Sequence, residues 1–169
     1  RNRSSREALE DLRNGLDAMV LLDVNLRDPW WRKEEVLAFA DESDWVKLNE
    51  DELKLLSGGD ATDHLSRAQR FLQRHGLAGL VVTLGKKGAF ACTAQGEFAE
   101  VEPAGLAEVV DTVGAGVAFT SVLILGLSRE WPLALTLQRA QGFAARVVAQ
   151  RGAAIHEREL YAEVMLDWS

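Results

Sequence analysis

The chain has a single cysteine, Cys92, among 169 residues. It can therefore form neither an intrachain disulfide nor a cysteine-rich metal centre, and a reducing cytosol is the simplest setting, so a cytoplasmic location is expected. Histidine is almost as scarce: His64, His75 and His156 are scattered, which leaves no zinc triad and no nucleophile and base pair, only solvated or capping roles. Positive charge is also short. With 19 Lys and Arg against 26 Asp and Glu, the formal net charge is -7, and such a surface repels phosphate backbones and anionic lipid, so neither nucleic acid nor membrane is expected as a partner. The longest uncharged stretch, residues 112–128, is shorter than the ~20 residues a spanning helix needs and is laced with glycines, which favours a buried helix. Residues 1–11 are charged, lack the apolar core of a signal peptide, and read more like the inside of a protein than its start. Only three prolines are present, and no repeat, low-complexity tract or shift of composition divides the chain. One domain, residues 1–169, is expected.

What is there is a rhythm of short apolar runs and amphipathic stretches. Residues 20–24 form a nearly continuous apolar run, the pattern of a strand covered on both faces of a parallel sheet, with Asp23, Asn25 and Arg27 at its exit. Residues 33–39 read as a helix, 45–48 as a second strand, and Asn49 as a cap for the helix that starts at Glu50. Residues 61–74 carry Leu65, Ala68, Phe71 and Leu72 at helical spacing and stop at Gly76. Residues 80–84 form a buried-type strand, 85–88 a turn into 89–93, and 98–101 another extended piece, which adds antiparallel strands at one edge. A helix over 114–127 is entered through a glycine loop, and Pro132 stands in the first turn of a last helix running to about residue 151. Strands alternating with helices predict an α/β fold, a Rossmann-like, mainly parallel sheet with helices on both faces.

The run Asp111-Thr112-Val113-Gly114-Ala115-Gly116-Val117-Ala118-Phe119 is the richest in chemistry. Glycines let the backbone approach a ligand closely, and the free N–H groups and dipole of a helix start favour an anion such as phosphate. A tight turn into a close-packed helix reads equally well from Gly-Ala-Gly alone. Asn49 and Glu52 fit a helix cap, Thr83 and Gly85 an ordinary strand end, Arg27 a surface salt bridge, and Lys47 surface charge. The five tryptophans read as core or partner contacts, with no basic interleaving that would make a base-stacking platform.

Taken in order, these segments resemble the ribokinase-like (PfkB) sugar kinases. Asp111 to Gly116 is similar to their Asp-Thr-x-Gly-Ala-Gly signature, including a phenylalanine at Phe119. Asp23-Val24-Asn25-Leu26-Arg27 followed by Pro29-Trp30 resembles the Asp-x-Asn-x-Arg motif of fructokinase-like members, and Asn49-Glu50-Asp51-Glu52 the Asn-x-x-Glu motif. Val82-Thr83-Leu84-Gly85 with Gly88 resembles the nucleotide-binding strand and turn, and Gly152-Ala153 the C-terminal end. The resemblance, covering roughly residues 22–153, implies ATP and Mg²⁺ as cofactors. It implies an anion hole at Gly114, Ala115 and Gly116, and nucleotide contacts from Asn49, Thr83, Gly85, Gly88, Asp111, Thr112, Asn25 and Arg27. It also implies magnesium and its waters near Glu52 and Asn49.

In that family an aspartate follows Gly-Ala-Gly and takes the proton of the sugar hydroxyl as its oxygen attacks the γ-phosphate. Here the residue is Val117, which can accept no proton; general-base help of typically ~10²–10⁴-fold is lost. Asp111 lies on the other side of the glycine loop and is no replacement. The family's N-terminal half also carries most of the sugar site and a lid, and the residues before Val20 are too few to supply them. The expected function is therefore that of an ATP-dependent fructokinase- or ribokinase-type sugar kinase, inactive as it stands, with sugar as a partner only when a complete N-terminal half is present. The alternative is a catalytically dead nucleotide-binding or dimerisation module. Apolar faces left uncovered by the absent half make a homo-oligomer expected.

Overall fold

Val46 and Leu48 on one short strand, and Leu80 and Val82 on another, are buried completely. Runs of this kind are stable only with both faces of the sheet covered, which is the condition of parallel strands joined by helices. The computed structural model describes residues 7, 8, 11, 12, 15–58, 63–103, 114–149 and 168. Its five strands are β1 (Leu21–Asp23), β2 (Trp45–Asn49), β3 (Gly79–Thr83), β4 (Ala89–Thr93) and β5 (Phe98–Val101), in that spatial order. Helix α1 (Lys33–Asp41) joins β1 to β2, α2 (Glu50–Ser57) and α3 (His64–Arg74) join β2 to β3, and α4 (Ala115–Ser128) and α5 (Leu133–Val148) follow the sheet. The first two pairings are parallel and the last two antiparallel, so the α/β reading with an antiparallel edge holds.

The two faces carry different side chains. Val46, Leu80 and Cys92, then Leu48, Val82 and Phe90, lie in register across one face and pack with Leu53, Leu56, Phe71 and Leu72 of α2 and α3. Burial there pushes the Cys92 thiol up to about 11, so it is a small core hydrophobe. On the other face Val81, Ala91 and Ala99 lie in register, and with Ala89 they form a shallow surface that receives Phe119, Leu123, Leu137 and Phe143 of α4 and α5. Small residues in the strands let two bulky apolar helices sit close to the sheet.

Most boundaries fall within a residue or two of expectation, as helix ends do. His75 caps α3 and Gly76 follows at φ 62, the left-handed residue foreseen. Pro132 stands one residue outside the helix, as its N-cap, where its carbonyl accepts from Thr136. Helix α3 starts at His64 and not at Ala61, because extended Asp63 caps it by accepting from Ser66 N–H, and α5 ends at Val148, short of the residue 151 expected.

The turn between β3 and β4 is a 3-10 turn over Gly85–Lys87, closed by Leu84 N–H donating to Gly88 O at 2.8 Å. Gly88 has φ 92 and ψ -141, and a Cβ there would collide with the Val101 carbonyl oxygen. Gly88→Ala combines a backbone conformation open only to glycine with a clash against main chain, and is expected to cost at least ~2 kcal/mol; urea unfolding of the two forms measures it.

Candidate anion site at the strand ends

The carboxyl ends of parallel strands, where helices begin, form the ligand crevice of open α/β sheets. Here β1, β2 and β3 bring Asp23, Asn49 and Thr83 to that edge, Asn49 being the register partner of Thr83. The first turn of α4 is fastened to the same edge. Thr120 Oγ1, one turn into the helix, donates to Asp23 Oδ2 at 2.5 Å and lies 2.9 Å from Gly116 O. Lys47 Nζ donates to the other oxygen, Asp23 Oδ1, at 2.8 Å. That ammonium lies 3.9 Å from where a Cβ of Gly116 would stand.

Lys47 is thus not the surface charge expected from sequence. It is only 6% exposed, because alternation along β2 turns Val46 and Leu48 to the α2 and α3 side and Lys47 to the α4 side. Its register partner is Asp23, and a buried cation needs such a carboxylate to offset desolvation. Thr120 was missed as well. A lysine inside an otherwise apolar strand, and an aspartate ending another, were the available signals for the pair; nothing local marks Thr120, which is 97 residues from Asp23 in sequence.

The glycine loop has the form an anion site requires. Gly114 is the N-cap of α4 in the left-handed region, φ 91, and among the described residues no side chain caps the helix start or places an acid in its first turn. Ala118 N–H donates to Gly114 O at 2.9 Å, so the amides ahead of it, on Ala115, Gly116 and Val117, are those a helix leaves for a ligand. Val117 is 74% exposed; a residue at this position faces solvent, and nothing about the core requires a valine. Asp111 and Thr112 lie outside the described residues.

Asn49 and Glu52 form a full capping box. Glu52 N–H donates to Asn49 Oδ1 at 2.9 Å and Asn49 N–H to Glu52 Oε2 at 2.8 Å. Leu26 N–H donates to Glu52 Oε1 at 3.0 Å, which ties the chain after β1 to the start of α2. Both carboxylate oxygens are therefore engaged by main chain in a side chain 7% exposed. Each of these oxygens accepts a single N–H and keeps a second lone pair, so main chain fixes the two side chains in place without using up their capacity to accept from a metal-bound water. Among the described residues no cluster of three or more His, Cys, Asp or Glu could hold a metal ion. Asn25 and Arg27 are exposed on the loop after β1, and neither side chain has a hydrogen-bond or ion-pair partner among the described residues. Thr83 is half-buried, and Gly85 and Gly88 bracket the turn that follows it. No helix among the described residues is long and apolar enough to cross a membrane.

The sequence and the fold are similar to those of known proteins. Residues 3–159 match the pfkB family carbohydrate kinases. The chain is 37% identical over 165 residues to aminoimidazole riboside kinase of Salmonella typhimurium, covering 90% of this chain and 50% of that protein. It is 34% identical over 113 residues to fructokinase-2 of Zea mays, covering 64% of this chain and 32% of that protein. The chain thus spans about half the length, or less, of these curated relatives. Among solved structures, aminoimidazole riboside kinase from Salmonella enterica, complexed with aminoimidazole riboside and an ATP analog, superposes with a TM-score of 0.78 at 30% identity, over 97% of this chain and 59% of that one. Fructokinase from Vibrio cholerae, with fructose, ADP and calcium bound, gives 0.77 at 28%, over 95% and 55%. With a family match across nearly its whole length and the glycine loop, strand ends and capping box in place, the chain belongs to the pfkB family of carbohydrate kinases.

Proposed function

We propose that the chain supplies the nucleotide-binding side of an ATP-dependent sugar kinase, and that as it stands it binds phosphates without transferring them. The observation that carries this reading is the uncapped first turn of α4, held over the strand ends by Thr120 and Asp23 with Lys47 beside it. Ala115, Gly116 and Val117 present N–H groups and the positive end of the helix dipole to a phosphate. Charge that develops on a phosphoryl group in transit meets donors already in place, so little reorganisation is needed at that moment. Thr83, Gly85 and Gly88 would bring backbone close to the rest of the nucleotide, with Asn25, Arg27 and Asn49 at its border; the planar guanidinium of Arg27 suits a phosphate. The sugar, and any part of the site that closes over it, would come from sequence matching the other half of the relatives.

Transfer to a sugar also needs a base. An aspartate following Gly-Ala-Gly would stand in the first turn of α4, exposed as Val117 is, and could take the hydroxyl proton as the oxygen attacks. Valine cannot, which favours a second reading, that of a nucleotide-binding or dimerisation module that has kept the fold without the chemistry. Both readings share the anion site and differ in what restoring the carboxylate does.

Calorimetric titration with ATP or ADP should give weak, saturable binding, weak because only one side of a cleft is present; absence of heat and of any thermal shift at millimolar nucleotide, with a folded sample, would remove the nucleotide reading. Thr120→Val keeps the side chain's shape but removes the donor to Asp23. It should lower stability by about 1–2 kcal/mol in urea unfolding and speed amide exchange at residues 115–118, while Thr120→Ser should restore both. Val117→Asp in this chain should give no sugar phosphorylation and at most slow ATP hydrolysis, because substrate positioning is missing. In a chain that also carries a complete sugar-binding half, the same change should raise fructose-dependent ADP release by ~10²–10⁴-fold; equal rates with valine and aspartate would show that this is not the base position.

A further inference from the structure

On the opposite side of the sheet from α4 lies a cavity of about 590 Å³, between the start of α1, the end of α2 and the length of α3. Among the described residues that line it, four are cationic, Lys33, Arg67, Arg70 and Arg74, and none is acidic. Its floor is apolar, formed with Leu56 and Phe71, both buried members of the core cluster on that face. The rest of the surface does not explain this concentration of charge. The chain carries a net charge of -7, yet α3, His64–Arg74, contains no acidic residue at all and places arginines three and four apart, at 67, 70 and 74. Like charges at those spacings face one another and weaken a helix. Lys33 donates one hydrogen bond, to Leu55 O at 2.6 Å, and Arg67 reaches Ser57 Oγ at 3.4 Å. Arg70 and Arg74 are exposed at the rim and make no ion pair among the described residues.

We propose that this cavity binds a small organic phosphate, with its phosphoryl group held by Arg70, Arg74 and Lys33 and its carbon body on Leu56 and Phe71. Guanidinium groups bind phosphate oxygens through paired N–H donors, and the volume lies within the ~300–1,000 Å³ of ordinary small-molecule pockets. A concave site with an apolar floor selects a compact ligand. A nucleic acid or an acidic polypeptide would call for an extended positive surface, which the overall charge of this protein opposes. The site is distinct from the anion loop: it lies beyond the C-terminal end of α2, whereas Asn49 and Glu52 stand at the beginning of that helix, and α4 packs on the other face. It therefore neither requires nor supports the nucleotide reading above.

The test is a titration of the chain with phenyl phosphate, followed by calorimetry and by amide shifts, with inorganic phosphate and a polyglutamate peptide as comparisons. Phenyl phosphate should bind at one site, more tightly than inorganic phosphate, with shifts centred on residues 33, 56–58 and 67–74. The double change Arg70→Gln and Arg74→Gln should weaken that binding by about tenfold or more and leave the thermal midpoint unchanged or slightly higher, since it removes like-charge neighbours. Shifts confined to residues 115–117, affinity unaffected by the double change, a lowered midpoint with affinity intact, or preference for the peptide would each overturn the proposal.

Discussion

One carboxylate organises the functional edge of this molecule. Asp23 ends the edge strand β1, and its two oxygens are divided between Lys47 on β2 and Thr120 in α4. The first bond allows an ammonium to be buried in a strand that is otherwise apolar, because a charge removed from water is tolerated only beside its counter-charge. The second fixes the helix whose first turn is the candidate anion loop. If Asp23 were neutral or displaced, Lys47 would be an unpaired buried charge and α4 would lose its only described polar attachment to β1.

The two halves of the capping box work on the same edge by another route. Glu52 holds Asn49 at the end of β2 and Leu26 after β1 through main-chain N–H groups, so the loops leaving two neighbouring strands are set relative to each other. A residue assigned by family resemblance to magnesium is, in its observed contacts, a positioner of backbone. Under the function proposed above, precision of this kind would matter at the strand ends, because phosphoryl transfer depends chiefly on placement and electrostatics and little on covalent chemistry by the protein. Val117 sits on the one part of the edge that none of these bonds constrains, exposed at the start of α4. Its identity is therefore free of the fold, and a carboxylate could stand there without disturbing the packing of Phe119 or Leu123 one and two turns into the helix.

Much of this was legible from residues alone. Continuous apolar runs gave the strands, since a doubly covered strand must be apolar on both faces, and Asn49 with Glu52 three residues on gave the start of α2, since that spacing satisfies two orphan amides at once. Gly76 marked the end of α3 and Gly114 the entry to α4 because local backbone conformation is a local property. The ordered motifs fixed the family, and Val117 was visible as a departure from it. The buried state of Lys47, its bond to Asp23, the bond of Thr120 to the same carboxylate across 97 residues, and the gathering of Lys33 with the arginines of α3 around one cavity were decided only in the tertiary structure. Each depends on which strand lies beside which, in what register, and on the side from which a helix crosses. Sequence patterns report the period of burial along an element, whereas a partner contributed by another element is set by packing.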